Sequence, residues 1–277
     1  ENTIKNYKQY NLSPLPCKIN IATITSSCKL NANIDLDNVN RYLKLSKDEI
    51  ITVKYNKDIR SLDEKVLKKR KKKEPTRFLN QVTIEVNVPN GTNKTKKLNM
   101  KLFCNGSIQI SGAKNISQCD CGLRKLISNL STPMTIGKKK KYFVFKELDN
   151  DEIEYCQDLN IIKFKIDMIN SSFSVNYLIN REKLYELLLD NGINCKYETV
   201  NHAAVIIYHT LKNNSSRTVT ALAFESGKII ITGAKNKEEI TETFQYVSDI
   251  LIENKKRIMK IDITLLSKDI LMDLIMD

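Results

Sequence analysis

The sequence predicts an α+β fold built from two similar halves, each combining antiparallel β-strands with helices. Three observations predict it: a 13-residue motif occurs twice, the similarity continues upstream of both copies, and glycine is concentrated in the motif. Residues 103–115 read FCNGSIQISGAKN and residues 224–236 read FESGKIIITGAKN, with eight positions identical. Four of the eight glycines of the chain lie in these two segments. Such self-similarity indicates a duplicated supersecondary unit.

The motif itself predicts a β-hairpin followed by a helix. Its first glycine separates two strand-like runs, where a tight turn needs a positive φ angle. In the second copy Asn236 is a suitable N-cap, and apolar residues then recur at helical spacing. In the first copy the corresponding helix is predicted from about Asn115 to Leu130.

The duplication extends upstream of the motif. Residues 23–43 align with residues 167–187, and each segment reads as a strand followed by a capped helix. The helix caps and a further strand are predicted at matching places: Asp35 and Asn180 for the caps, residues 80–88 and 203–211 for the strand. Each copy is therefore predicted to be strand, helix, several antiparallel strands, helix.

Charge distinguishes the two halves. The chain has 45 Lys and Arg against 32 Asp and Glu, a net charge of +13. Residues 1–145 hold 29 basic and 11 acidic residues, net +18, whereas the remainder holds 16 and 21, net −5. The basic runs are KVLKKRKKKEPTR at 65–77, NGTNKTKK at 90–97 and Lys138 to Lys141. This distribution favours a polyanion such as nucleic acid, with solvated loops or a nuclear-localisation signal as the alternatives.

Several classes of protein are disfavoured by what the sequence lacks. It contains no GxGxxG, GxxxxGK or GxSxG string, which removes the main support for nucleotide-binding loops and serine hydrolases. Seven cysteines without a CxxC pair, and only two histidines, argue for reduced structural thiols rather than a metal site. We therefore predict no enzyme activity, no cofactor and no metal. The apolar runs are too short for a membrane span, which predicts a soluble intracellular chain.

The paired motif resembles the signature of the TATA-box-binding protein (TBP) family, F-x-S-G-K-hydrophobic-x-hydrophobic-T-G-A-K before a helix, present twice. The resemblance covers about residues 17–257. It implies a pseudo-twofold saddle of two TBP-like repeats, a curved ten-stranded antiparallel sheet with helices on its convex face and DNA on its concave face. The abundance of Lys and Asn resembles versions encoded by large DNA viruses.

The resemblance implies aromatic wedges that unstack base steps in the DNA minor groove. Phe103 and Phe224 occupy the two equivalent motif positions, with ordinary strand core as the alternative. Their partners would be Leu79, or Phe78 after a one-residue slip, and His202 in the second copy. The other positions that the resemblance assigns to DNA are Ile21, Gln109, Ser111, Ile166, Ile230, Thr232 and Lys228.

The chain also departs from the family pattern. Ile19 and Phe164 stand where the family has groove-floor asparagines. Glu85 and Tyr208 replace two arginines that the resemblance would assign to phosphate binding. These departures keep a second interpretation open, a TBP-fold scaffold for protein interactions that has lost specific DNA binding.

Protein partners are expected as well. Arg124 and Lys125 match a basic pair that faces other initiation factors in the family. Glu198 keeps its place in the stirrup of the second copy, but Thr199, Val200 and Asn201 replace the edge on which the family docks a factor of the IIB type. The expected partners are A/T-rich double-stranded promoter DNA and general transcription factors or RNA polymerase, with a homodimer as an open alternative and no membrane. The expected location is the nucleus, or a viral factory or virion.

The resulting domain prediction has five parts. They are a flexible N-terminal arm at 1–16, a first repeat at 17–130 with a basic insertion at about 56–77, a linker at 131–157, a second repeat at 158–257, and a C-terminal extension at 258–277. The predicted function is a TBP-like transcription initiation factor that binds and bends A/T-rich promoter DNA and recruits the transcription machinery.

Overall fold

A computed structural model of the chain describes residues 3–16, 18–70, 80–148, 152–198 and 203–260. It divides into two compact units. The first comprises Glu1–Ser13 and Ile21–Ile169, and the second comprises Pro14–Asn20 and Asn170–Asp277.

The first unit holds most of the strands. After a 3-10 turn at Tyr7–Tyr10, its elements are β1 (Asn20–Leu30), β2 (Asn33–Ile34), α1 (Leu36–Tyr42), β3 (Ile50–Tyr55), β4 (Asp58–Ser61), α2 (Glu64–Arg70), β5 (Gln81–Pro89), β6 (Thr95–Phe103), β7 (Ser107–Ala113), α3 (Ile116–Ser131), β8 (Met134–Ile136), β9 (Lys139–Lys141), β10 (Val144–Glu147) and β11 (Ile153–Tyr155). Strand β12 (Ile161–Ser174) begins in the first unit and ends in the second. The second unit continues with α4 (Arg181–Asp190), β13 (Cys195–Lys196), β14 (Ala204–Leu211), β15 (Asn214–Phe224), β16 (Lys228–Ala234), α5 (Lys237–Glu253) and α6 (Lys255–Ile258).

Antiparallel pairing organises both units, which confirms the predicted α+β class. In the first unit the strand order is β1-β7-β6-β5-β3-β4, and in the second it is β13-β14-β15-β16 followed by the end of β12. The predicted motif hairpins are present, and they place Lys101 opposite Gln109 in one unit and Leu222 opposite Ile230 in the other. The predicted linker is itself structured, because β10 pairs with β2 and β11, and β8 pairs with β9.

Alternate residues of these strands are buried beneath helices. In β5, Val82, Ile84, Val86 and Val88 are fully buried while the residues between them are half-buried. This period of two places the buried set on one face of the sheet. Helix α3 covers that face, since Gly122 packs against side chains of Val88 and two residues of β6. We call the face that points away from α3 the open face of the first unit.

The second unit repeats this arrangement. His209 of β14 is buried and stacks on Tyr246 of α5, with ring centroids 4.3 Å apart, while its Nε2 lies 3.0 Å from a carboxylate oxygen of Glu242. Helix α5 therefore covers the face that contains His209. The alternate residues of β14, β15 and β16 form the open face of the second unit.

The three predicted helix caps, Asp35, Asn180 and Asn236, are confirmed, and Asn115 caps a fourth helix in the same way. In each of the four helices the side chain of the capping residue accepts a hydrogen bond from the backbone N–H three residues later, at 2.8 to 3.1 Å. The caps are Asp35 for α1, Asn115 for α3, Asn180 for α4 and Asn236 for α5. Helix α3 covers Ile116–Ser131, within one residue of the prediction.

The N-terminal segment is attached to the first unit at two points, which corrects the expectation of a flexible arm for these residues. Ile4 is buried, and its N–H donates to Asp120 Oδ1 at 2.9 Å. The hydroxyl of Tyr10 donates to the carbonyl of Phe164 at 2.9 Å, and the two rings meet edge to face. At the other end of the chain, residues 261–277 of the predicted extension lie outside the described residues.

The first glycine of each motif copy closes the hairpin against the strand that opens its repeat. Gly106 and Gly227 have φ angles of +80° and +79°. Their carbonyls accept hydrogen bonds from the N–H groups of Leu30 and Val175, both at 2.9 Å. A Cβ atom on either glycine would overlap a backbone carbonyl oxygen, that of Ala32 or of Tyr177. Only glycine fits here, which is the physical reason for the repeated motif.

We predict that Gly106→Ala and Gly227→Ala each lower the free energy of unfolding by about 3 kcal/mol, because a left-handed backbone and a steric overlap both oppose the new methyl group. Gly91 is a matched control, since its φ is +78° but nothing lies within 4 Å of its added Cβ. Gly91→Ala should cost only about 1 kcal/mol, from the backbone conformation alone. Urea unfolding measures all three, and equal losses would contradict the overlap.

Candidate nucleic-acid interface

The open face of the second unit is largely apolar. Its strands β13 to β16 contain no Asp or Glu at all. Alternate positions of these strands, together with the second-unit part of β12, supply the residues of this face: Asn170, Ile206, Tyr208, Thr220, Leu222, Phe224, Lys228, Ile230 and Thr232. Apolar side chains interrupted by hydroxyl and amide groups suit a minor groove, whose floor is contacted by apolar and hydrogen-bonding groups.

One polar pair stands out on this face. The hydroxyl of Thr232 donates to Asn170 Oδ1 at 2.6 Å. Because the amide oxygen accepts this bond, the amide nitrogen is the side of Asn170 that offers donors to a ligand. The sequence motif predicted Thr232 but not Asn170. The family resemblance places its asparagines at Ile19 and Phe164 instead, and both of these residues are buried.

The open face of the first unit is polar and charged. Glu85 Oε1 lies 2.6 Å from Lys54 Nζ, and Glu85 Oε2 accepts from the Thr52 hydroxyl at 3.1 Å. Lys97 forms a second ion pair with Asp63, in the turn between β4 and α2, and this carboxylate has its pKa lowered first by the hydrogen bond from Lys97. A glutamate at position 85 is thus neutralised by a neighbouring lysine rather than left to repel a phosphate.

The predicted wedge residues lie at the ends of equivalent strands. Phe103 ends β6 opposite Gln81, and Phe224 ends β15 opposite Ala204. Both phenylalanines are half-buried and share the open face of their unit with alternate residues of the same strand. The partners expected for them, Phe78, Leu79 and His202, lie outside the described residues.

The remaining predicted DNA contacts differ in accessibility. Gln109 and Lys228 are exposed, and Ile230, Ile21 and Ser111 are half-buried. The Ser111 hydroxyl points back to the Asn99 carbonyl, at 3.5 Å. Ile166 is 8% exposed and so is the least accessible of the set.

The predicted partner-binding residues have different local roles. Arg124 has 59% of its side chain exposed and pairs with Asp120 at 2.6 Å. Lys125 instead donates to two carbonyls, of Asp48 at 2.6 Å and of Asn87 at 2.8 Å, so it ties α3 to the loop before β3 and to β5. Glu198 lies 2.6 Å from Lys196 Nζ.

Two of the cysteine thiols, those of Cys28 and Cys119, are buried in the core. Burial raises the pKa of Cys28 to about 12 and that of Cys119 to about 11, which keeps both thiols neutral in the core. Within the described ranges, no group of three or more His, Cys, Asp and Glu side chains could hold a metal ion. In the same part of the chain, no helix is long and apolar enough to cross a membrane.

Known proteins resemble this chain in sequence and in fold. The family described as Transcription factor TFIID (or TATA-binding protein, TBP) matches residues 163–254. A TATA-box-binding protein-like protein of Acanthamoeba polyphaga mimivirus is 33% identical over 258 residues, 87% of this chain and 66% of the viral protein. The TATA-box-binding protein of Acanthamoeba castellanii is 35% identical over 95 residues, which is 34% of each chain. The chain therefore spans just under two thirds of the viral relative and about one third of the amoebal one.

A solved structure supports the fold. Methanococcus jannaschii TBP matches with a TM-score of 0.52 at 17% identity, and the match covers 85% of this chain and 99% of that chain. The match to the family model is confined to residues 163–254. The sequence similarity to the viral relative and the fold similarity extend over most of the chain.

We predict that Lys125→Ala lowers the free energy of unfolding by about 1 kcal/mol, because two charge-assisted hydrogen bonds at a partly exposed site are lost. The neighbouring Arg124→Ala tests a different contact, because it leaves the carboxylate of Asp120, whose side chain is only 4% exposed, without its cation; it should also lower stability, by about 1 kcal/mol. Thermal unfolding of both variants measures these losses. Equal, negligible effects would show that Lys125 does not fasten α3.

Proposed function

Because this chain belongs to the TATA-binding protein family as a divergent member with a viral relative, we propose that it is a transcription initiation factor that binds A/T-rich promoter DNA through the minor groove and bends it. The observation that carries this proposal is the open face of the second unit. Its strands place apolar, hydroxyl and amide groups side by side without a carboxylate, which suits the floor of a minor groove.

The proposed mechanism is deformation combined with electrostatics. Phe103 and Phe224 enter base steps, which costs a few kcal/mol per step, and the bent DNA then contacts more of the protein surface. Basic residues of the first unit contact phosphates and release counterions, so affinity falls as salt rises. No catalytic group, metal or nucleotide is needed for this role.

Recruitment of the transcription machinery belongs to the same proposal. We assign two contact points to general transcription factors or RNA polymerase. They are the exposed side chain of Arg124 on α3 and Glu198, which follows β13. Lys125 contributes to this surface only through the position that it gives α3. The protein would act in a nucleus, or in a viral factory if the chain is viral.

Fluorescence anisotropy with labelled A/T-rich and G/C-rich duplexes of equal length, each at two salt concentrations, tests the proposal. Specific recognition predicts a preference for the A/T-rich duplex that survives at the higher salt, because minor-groove contacts do not depend on counterion release. Equal and steeply salt-dependent binding of both duplexes would overturn it.

We further predict that Phe103→Ala and Phe224→Ala, singly and together, reduce DNA bending while leaving non-specific affinity nearly unchanged. Bending depends on the aromatic rings that unstack the bases, whereas non-specific affinity depends on lysine and arginine contacts with phosphates. Energy transfer between dyes at the two ends of a duplex reports the bend. The same bend in the double variant as in the parent chain would contradict the assignment of wedges.

A second candidate function is a scaffold for protein partners. It is favoured by the polar open face of the first unit, where Glu85 replaces an expected arginine and Gln109 is an exposed polar side chain. This alternative predicts equal affinity for A/T-rich and G/C-rich duplexes. Any binding of nucleic acid would then depend on charge alone and would fall steeply as salt rises.

A further inference from the structure

A cleft of about 810 Å³ lies beside α5 in the second unit. Its walls are the end of β12 with the turn that follows it, one face of α5, and the residues around the start of β1. All of these residues belong to the second unit. Strands β14, β15 and β16, which are described throughout, contribute no lining residue, so the cleft lies apart from most of the surface proposed for DNA. Its volume is typical of binding clefts.

The cleft combines apolar and basic side chains. Phe173 and Phe244 meet edge to face within it, with ring centroids 4.8 Å apart. Ile252 also lines it and is 66% exposed, which is unusual for a large apolar side chain at the edge of a cleft. Lys18 and Lys255 supply two positive charges, and neither forms an ion pair with another described residue.

Helix α5 thus has a second face that suits an amphipathic partner. Phe244, Ser248 and Ile252 recur every four residues along the cleft, whereas the fully buried Val247 and Leu251 lie on the side that covers the sheet. A helix face of this kind beside a groove is a common docking place for a segment with apolar residues at helical spacing.

The last described residues of the chain lead towards this cleft. Met259 and Ile179 form an antiparallel bridge, and the N–H of Lys260 donates to the carbonyl of Leu178 at 2.8 Å. Because the two stretches run in opposite directions, the chain at Lys260 is directed back towards residues 175–177, which line the cleft. A segment that starts here needs no linker to reach the cleft, so its effective concentration there is high.

The sequence that follows Lys260 complements the cleft. We call residues 261–277, which lie outside the described residues, the C-terminal segment. Ten of its 17 residues are Ile, Leu or Met, and it has four Asp against one Lys, a net charge of −3. After Ser267 its apolar residues recur at helical spacing, at Ile270, Leu271, Leu274 and Ile275.

The charge of the cleft has the opposite sign. Lys18 and Lys255 outnumber the one lining carboxylate, that of Asp249, which already accepts a hydrogen bond from Gln245 at 2.7 Å. An acidic segment therefore meets net positive charge as well as apolar surface, whereas a basic segment would be repelled.

We propose that the C-terminal segment docks in this cleft of its own chain. Its apolar side chains cover Ile252 and the Phe173–Phe244 pair, and its aspartates face Lys18 and Lys255. The docked segment closes the cleft to other acidic amphipathic segments. This proposal concerns a surface away from DNA and does not depend on the proposed function.

Hydrogen exchange of the C-terminal segment, followed by mass spectrometry of the 277-residue chain without DNA, tests the proposal. A docked segment exchanges slowly. Ile252→Glu should speed its exchange about tenfold, because an apolar contact is lost. Lys18→Glu and Lys255→Glu together should speed it about fivefold, because two exposed ion pairs become repulsive.

A matched control and a rescue accompany these variants. Leu189 is an apolar residue of α4 in the same unit, 52% exposed and outside the cleft, so Leu189→Glu should leave the exchange of the C-terminal segment unchanged. Adding Asp269→Lys and Asp273→Lys to the double lysine variant should restore slow exchange, because the charges are then reversed on both sides. Peptides from β14 in the same experiment report whether each variant is folded.

Photo-cross-linking identifies the occupant directly. Ile252→p-benzoylphenylalanine should cross-link to the C-terminal segment of the same chain, with a yield that does not change with protein concentration. Cross-links between two chains would show a second copy in the cleft and would overturn the proposal. Fast exchange of the C-terminal segment in the parent chain, or equally slow exchange in the folded cleft variants and in Leu189→Glu, would overturn it as well.

Discussion

Everything proposed for this protein depends on sheets that, in the part of the chain that the structure describes, carry helices on one face of each unit. Because side chains alternate across a strand, Val82, Ile84 and Val86 pack beneath the helices while Thr83 and Glu85 must face the other way. The hairpin glycines fix this alternation, since Gly106 and Gly227 hold each turn against the first strand of its repeat. A shift by one residue would turn the core outward, so the register that builds the core also builds the binding surface.

Much of the fold could be predicted because its signals are local. The motif glycines, the capping residues Asp35 and Asn236, and the apolar spacing of α3 each act within a few residues of the chain. Long-range contacts could not be predicted in this way. The bond from Ile4 to Asp120 joins residues 116 positions apart, and nothing in the polar N-terminal sequence indicated it.

The candidate site was predictable only where the motif defines it. Thr232, Ile230 and Phe224 follow from the motif, and the structure places them on one face. Asn170 becomes visible only when β12 is laid beside β16, because the contact crosses 62 residues of sequence. The neutralisation of Glu85 by Lys54 was hidden for the same reason, since the two residues lie on neighbouring strands that are separated along the chain.

The two units thus share backbone geometry but differ in the surface that they present. The family match to residues 163–254 falls largely on the unit whose open face is apolar, which is consistent with divergence concentrated in the first half.

The most direct test of minor-groove recognition is the affinity for a duplex in which inosine·cytosine pairs replace all A·T pairs. Inosine lacks the guanine amino group, so this duplex presents the minor groove of A·T pairs together with the major groove of G·C pairs. Our account predicts an affinity within about twofold of that for the A/T-rich duplex. Binding as weak as that of the G·C duplex would contradict it.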